Sequence, residues 1–223
     1  MSEHDGPGRR PVILGVARYA PALVLLLAAV VLGMAACGGS ESSDDASGGG
    51  GGGGDEAAQT DSFLAAWPKA RDSVAKLADD AVLLSAGTSG LALADVPSSW
   101  SFILYSPGTK RIYSVAVEHG TAQAARDLGG ATQDTDVSGA IDVESIKVGA
   151  ADAVVKAREF GEQSGEVPMN VMVGGAFVDL PGAADLNVRS GVWTVTFATG
   201  TDLAGAQKYD VDMMTGEVTA AKD

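Results

Sequence analysis

The sequence predicts an α+β fold made of two helix-plus-antiparallel-strand (αβββ-like) halves, each a helix packed on a meander sheet. Three observations predict it. Amphipathic helical patterns begin near residues 69 and 150, and each is followed by strands of alternating polarity. A Ser106-Pro107-Gly108-Thr109 turn joins two of those strands. Trp100 and Trp193 occupy corresponding places, each opening an alternating strand after a helix.

In the first half, Phe63, Leu64 and Trp67 fall on one helical face, and Pro68 suits a first-turn position. From Lys69 onward, Ala70, Val74, Leu77, Ala78, Ala81 and Leu84 recur at helical spacing, with Lys69, Asp72, Ser73, Lys76, Asp79 and Asp80 on the other side. Gly87 and Gly90 end this helix. Residues 90–95 read as a further strand. Trp100–Tyr105 and Arg111–Val117 form a hairpin, with Pro107 at a fixed φ and Gly108 expected at a positive one. Residues 119–140 are small and polar, a crossover with room for a short helix at 121–128.

In the second half, Ala150, Ala153, Val154, Ala157 and Phe160 mark a helix with Asp152, Lys156 and Glu159 outward, ending at Gly161 or Gly165. Val167–Leu180 contains a strand that Gly174-Gly175 interrupts with a bulge or turn. Along 192–198, Trp193, Val195 and Phe197 share one face and Thr194 and Thr196 the other. Along 208–213, Tyr209, Val211 and Met213 point inward while Lys208, Asp210 and Asp212 point outward. Such alternation belongs to a sheet with one face packed and one wet.

Ahead of the folded part, residues 1–20 carry Arg9, Arg10 and Arg18, and residues 22–32 form an uncharged run suited to a signal-peptide h-region. Met34-Ala35-Ala36-Cys37 resembles the bacterial lipobox, in which a large apolar residue, two small residues and a Cys mark cleavage and lipidation; Met34 stands where Leu is usual. The resemblance implies a signal peptide over 1–36, a lipid on Cys37, and attachment to the cell membrane on its extracytoplasmic side. Residues 37–60 then form a tether of Gly, Ser, Asp and Glu, including seven consecutive glycines at 48–54. Such a chain cannot bury enough apolar surface to offset its ordering entropy, and its root-mean-square reach is roughly 25 Å. The two halves occupy 61–140 and 141–223.

The formal net charge of the 223-residue chain is −14. Removing Glu3, Asp5, Arg9, Arg10 and Arg18 with the signal segment leaves 12 basic and 27 acidic residues. Nucleic acid is not a partner of such a chain, because its phosphates require a basic footprint. A single cysteine allows no intramolecular disulfide.

At the C-terminus, Tyr209-Asp-Val-Asp212-Met-Met-Thr215-Gly216-Glu217-Val218 resembles the closing hairpin of PepSY-type domains, with Trp193 and the helix at 150–160 in the corresponding order. Asp212 is placed to accept from turn amides, Gly216 to take a positive φ, and Val218 to re-enter the sheet. The resemblance covers about 75 residues well and the first half only in outline. It implies an envelope interaction domain, linked to protease inhibition or regulation where it is attached to proteases. It carries over no catalytic residue.

The chemistry-bearing residues are few. His119 is the only histidine after the signal segment and reads as a surface loop residue. Without a second histidine or a free thiol there is no Cys–His pair and no His-rich zinc site. Asp134 with Asp136, and Asp210 with Asp212, are the acidic pairs, and they read as solvated surface because no calcium-loop spacing accompanies them. No catalytic residue, metal or cofactor is expected. The reading is a non-enzymatic, membrane-anchored lipoprotein that binds a protein or peptide partner in the cell envelope. The alternative is a carrier of a lipid or small apolar ligand in a cavity between helix and curved sheet.

Overall fold

A computed structural model of the chain describes residues 62–88, 90–92, 97–131, 135–163, 170–179, 189–199, 203 and 205–221. The signal segment, Cys37 and the tether lie outside the described residues, as do Asp134, Gly165, Val167 and Leu180. The fold is α+β. Helices α1 (Ser62–Ala75) and α2 (Ala150–Glu162) lie on one face of a nine-stranded antiparallel sheet. The strands are β1 (Val82–Thr88), β2 (Ser99–Ser106), β3 (Arg111–Glu118), β4 (Thr121–Ala122), β5 (Arg126–Gly130), β6 (Asn170–Ala176), β7 (Val192–Ala198), β8 (Gln207–Asp212) and β9 (Val218–Ala220). Their order is β4-β3-β2-β1-β6-β7-β8-β9, with β5 also paired to β3.

The first helix is shorter than its spacing predicts. It ends at Ala75, and Val82–Thr88 is a strand between β2 and β6. That strand is central and covered on both faces, with Leu83 and Leu84 in different hydrophobic clusters. A strand buried on both sides reads as a continuous apolar run, which periodicity does not separate from a buried helix. A register shift between Leu83 and Ser85 also breaks the alternation. Pro68 is the seventh helical residue, not a first-turn one, and it lies on the exposed side.

The β2–β3 hairpin forms as expected, with Ser106 opposite Arg111. The positive φ falls on Lys110 (55°) instead of Gly108. A Cβ on Gly108 would lie 2.7 Å from Asp80 Oδ2, so a larger residue there would displace that carboxylate. The helix expected at 121–128 is absent. β4 and β5 occupy that stretch and line successive parts of the β3 edge. Of the strand expected at 90–95, the described part holds a single bridge, Ala92 to Val171.

β6 runs through Gly174-Gly175 without interruption. Trp193 is directly opposite Gly175, and its indole fills the space where a side chain would stand. The second helix continues past Gly161 to Glu162, burying Ala153, Val154, Ala157 and Gly161 against the sheet.

Between helices and sheet, Phe63, Trp100, Phe102, Phe177, Trp193 and Phe197 are fully buried. Burying each such ring favours folding by roughly 1.5–3 kcal/mol. The opposite sheet face is not uniformly wet. Leu84, Ile103, Tyr105, Ile112 and Val178 form a second cluster there, against which Ala131, Val137 and Ala140 of the crossover pack.

Candidate functional site

Of the residues singled out in the sequence, His119 lies beyond β3, Asp136 in the crossover, and Asp210 and Asp212 on β8. His119 (φ 47°) and Gly120 (φ 75°) form the two-residue link from β3 to β4, both left-handed as a type I′ hairpin turn requires. His119 is exposed, and the Lys69 ammonium donates to the Gly120 carbonyl beside it. Asp136 accepts from the Ser138 amide at 2.9 Å, which holds its carboxyl below the usual value. Among the described residues, no three His, Cys, Asp or Glu side chains group to hold a metal ion.

Asp210 and Asp212 share a face of β8 but have different surroundings. Asp212 stands at the strand end, where Oδ1 accepts from Thr215 N (2.7 Å) and Met214 N (2.9 Å). The Thr215 amide is the main cause of its lowered pKa, helped by Met214 and opposed by burial. Asp210 is not the outward, solvated residue its alternation suggested: its side chain is 9% exposed. Arg189 Nη2 and Thr194 Oγ1 both donate to it at 2.9 Å. Arg189, three residues before β7, reaches Asp210 across this part of the outer face.

Two carboxylate clamps were not recognised from the sequence. Asp80 accepts from Ser106 Oγ (2.5 Å) and Gly108 N (2.6 Å), fixing the first hairpin turn, and these bonds lower its pKa. Asp127 pairs with Arg111 at 2.5 Å and accepts from Gly129 N at 2.8 Å; the Arg111 bond is the first cause of its lowered pKa. Asp80 meets residues 26 and 28 positions away, so no local pattern could identify it. These carboxylates are structural acceptors at turns and an edge.

The C-terminal hairpin meets α2. Asp212 closes the turn, Gly216 takes φ 73°, and Val218 enters β9. The Lys156 stem lies along the turn: a Cβ on Gly216 would be 3.0 Å from Lys156 Cε. One helical turn further, Phe160 packs edge-on against Tyr209, with ring centroids 5.8 Å apart. Tyr209 is itself opposite Ala220. Phe160 remains 37% exposed, although its spacing placed it on the buried side. The buried residue after Ala157 is Gly161, which rotates Phe160 to the rim. Lys156 and Phe160 thus form a ridge beside β9, whose Thr219 and Ala220 are exposed.

Searches of protein-family models, curated proteins and solved structures returned no match to this chain. Among the described residues, no helix is long and apolar enough to cross a membrane.

Proposed function

We propose that the chain is an exported lipoprotein, anchored through a lipid on Cys37, whose folded part binds a protein or peptide partner in the cell envelope without catalysing a reaction. The observation that carries the reading is the position of Cys37, directly after an apolar run ending Met34-Ala35-Ala36 and directly before a glycine-rich tether. The tether would hold residues 62–221 off the membrane surface.

We read the folded part as two αβββ-like halves, the second PepSY-like. Supporting this, α1-β1-β2-β3 and α2-β6-β7-β8 follow the same order, and β1 pairs with β6 at the join. Trp100 and Trp193 are each the second residue of their strand. The Asp212–Val218 turn has the bonds and the positive φ expected of the PepSY-type hairpin. Partner binding is favoured over ligand carriage because aromatic rings fill the space between helices and sheet. A carrier would need that volume for its ligand.

Replacing Cys37 with Ala should move the protein from the membrane fraction to the soluble one. Crosslinking from the intact chain should yield a reproducible envelope partner. A Cys37→Ala protein that remains membrane-bound would overturn the anchoring, and an intact chain that crosslinks to nothing would overturn the partner.

A further inference from the structure

We propose that the open edge of β9 captures an extended segment of the partner as an added strand, and that this segment alternates basic and apolar residues. The proposal rests on the partner-binding reading above and names its surface and ligand chemistry.

The backbone register supports it. Asp212 N donates to Glu217 O, and Ala221 N donates to Lys208 O. Asp210 is opposite Thr219. In an antiparallel ladder these bonds turn the N–H and C=O of Thr219 toward β8 and those of Val218 and Ala220 away from it. Among the described residues no strand pairs with that side. An edge with outward amides is a template for a further strand.

Side chains add selectivity. A strand laid beside β9 runs under the Lys156–Phe160 ridge of α2, so alternate residues on that face meet Phe160 and Val218. Phe160 offers a half-exposed aromatic surface where an apolar side chain loses water. The edge itself, Val218-Thr219-Ala220, contains no charge, proline or bulge. The opposite sheet edge is different: β4 has two residues, and β5 carries Arg126 and Asp127 beside a register shift.

Charge selects the partner. The strand's basic residues would face away from α2, the side on which Glu217 is exposed and Asp212 half-buried, with Lys208 and the Asp210-paired Arg189 as the cations there; Glu159 and Glu162 are exposed on α2 above the other face. Of the nearby cations on α2, Lys156 lies along the Gly216 turn and Arg158 over the Phe197 ring, and both are half-buried. A second copy of this chain, with its own net charge of −14, would bring like charges together at the same edge. A basic strand is attracted there.

The test uses the full chain in detergent and a fluorescent octapeptide of alternating Lys and Val, with a Glu/Val octapeptide as control. The Lys/Val peptide should bind at least tenfold more tightly. Amide exchange at Val218 and Ala220 should slow at least tenfold on binding, while Thr219, already bonded to β8, changes little. Ala220→Pro removes only an outward donor, so it should leave the thermal midpoint in place and weaken binding at least tenfold. If that variant is unstable, N-methylation of alternate peptide amides tests the same bonds, and one of the two methylated registers should lose binding. Equal binding of the Lys/Val and Glu/Val peptides, unchanged exchange at Val218 and Ala220, or indifference to both methylated registers would overturn the proposal. So would a dimer that Ala220→Pro dissolves, since that assigns the edge to a second copy. Undiminished crosslinking of the envelope partner by Ala220→Pro would remove the edge from recognition and leave the proposed function standing.

Discussion

The indole rings of Trp100 and Trp193 meet edge to face with centroids 6.2 Å apart, one on each side of the seam between β1 and β6. Each N–H is directed to the beginning of a helix: Trp100 Nε1 donates to Ser62 Oγ at 3.0 Å, and Trp193 Nε1 to the Val148 carbonyl at 2.8 Å. The two tryptophans therefore fasten both helices to the sheet, satisfying the one polar group each ring buries.

Phe63 joins these fastenings. Its ring lies 5.3 Å from Trp100, 4.8 Å from Trp193 and 5.6 Å from Phe177, so a single side chain of α1 bridges both sides of the seam. Phe63→Ala should destabilise the fold by about 3–5 kcal/mol, since the surrounding rings cannot all move into the space. Urea denaturation followed by tryptophan fluorescence measures this. A loss below about 1 kcal/mol would mean that the rings pack independently.

The adjacent glycines of β6 should respond in opposite ways to the same change. A Cβ on Gly175 would be 2.7 Å from Trp193 Cε3 and Cζ3 and 2.8 Å from Met213 Cε, whereas one on Gly174 would meet nothing nearer than the Ala86 carbonyl oxygen at 3.8 Å. Gly175→Ala should therefore cost about 1–3 kcal/mol through overpacking. Gly174→Ala should be neutral or mildly stabilising, because neither residue has a positive φ and alanine restricts the unfolded chain. Thermal melts of the two variants decide the matter, and equal losses would refute the packing explanation.

This contrast also marks what was legible in the sequence. The strands with one buried face were readable, as at Trp193, Val195 and Phe197, because alternation reports a single packed side. The Gly174-Gly175 pair was misread as an interruption because the reason for Gly175 is an indole 18 residues away, not a local turn. Helical spacing extends to Leu84, yet that residue lies in β1, which is covered on both faces so that the strand period is erased. Asp212 is legible as a turn acceptor because its partners, Met214 and Thr215, are two and three residues ahead. Asp80 and Asp210 escaped because theirs are remote. Phe160 was legible as apolar, but its place at the rim depended on how α2 settled on the sheet.

The turn clamps make stability sensitive to acid. The carboxyls of Asp80, Asp127, Asp136 and Asp212 all lie below the ordinary 3.8 in the folded chain. A depressed folded-state pKa stabilises the fold above the unfolded value, and that stabilisation is lost as pH falls below 3.8 through the folded values. Urea midpoints should therefore drop on the acid side of about pH 4. The Asp80→Asn/Asp212→Asn double variant should show a shallower acid decline together with lower stability at neutral pH. An acid limb as steep as the parent's would assign the sensitivity to other groups.

Asp210 invites a different experiment, because its two partners are unequal. Arg189 is 65% exposed in its side chain, so water screens much of its attraction, while Thr194 donates beside the strand. Arg189→Ala should then cost only about 1 kcal/mol. Asp210→Asn keeps an acceptor for Thr194 and removes the charge that Arg189 meets, so its loss should overlap with that of Arg189→Ala. A double-mutant cycle should return a coupling of about 0.5–1 kcal/mol. Strict additivity would mean that the ion pair contributes nothing and that Thr194 alone holds the carboxylate. A coupling several times larger would mean that Asp210 is shielded from water more completely than the exposure of Arg189 allows.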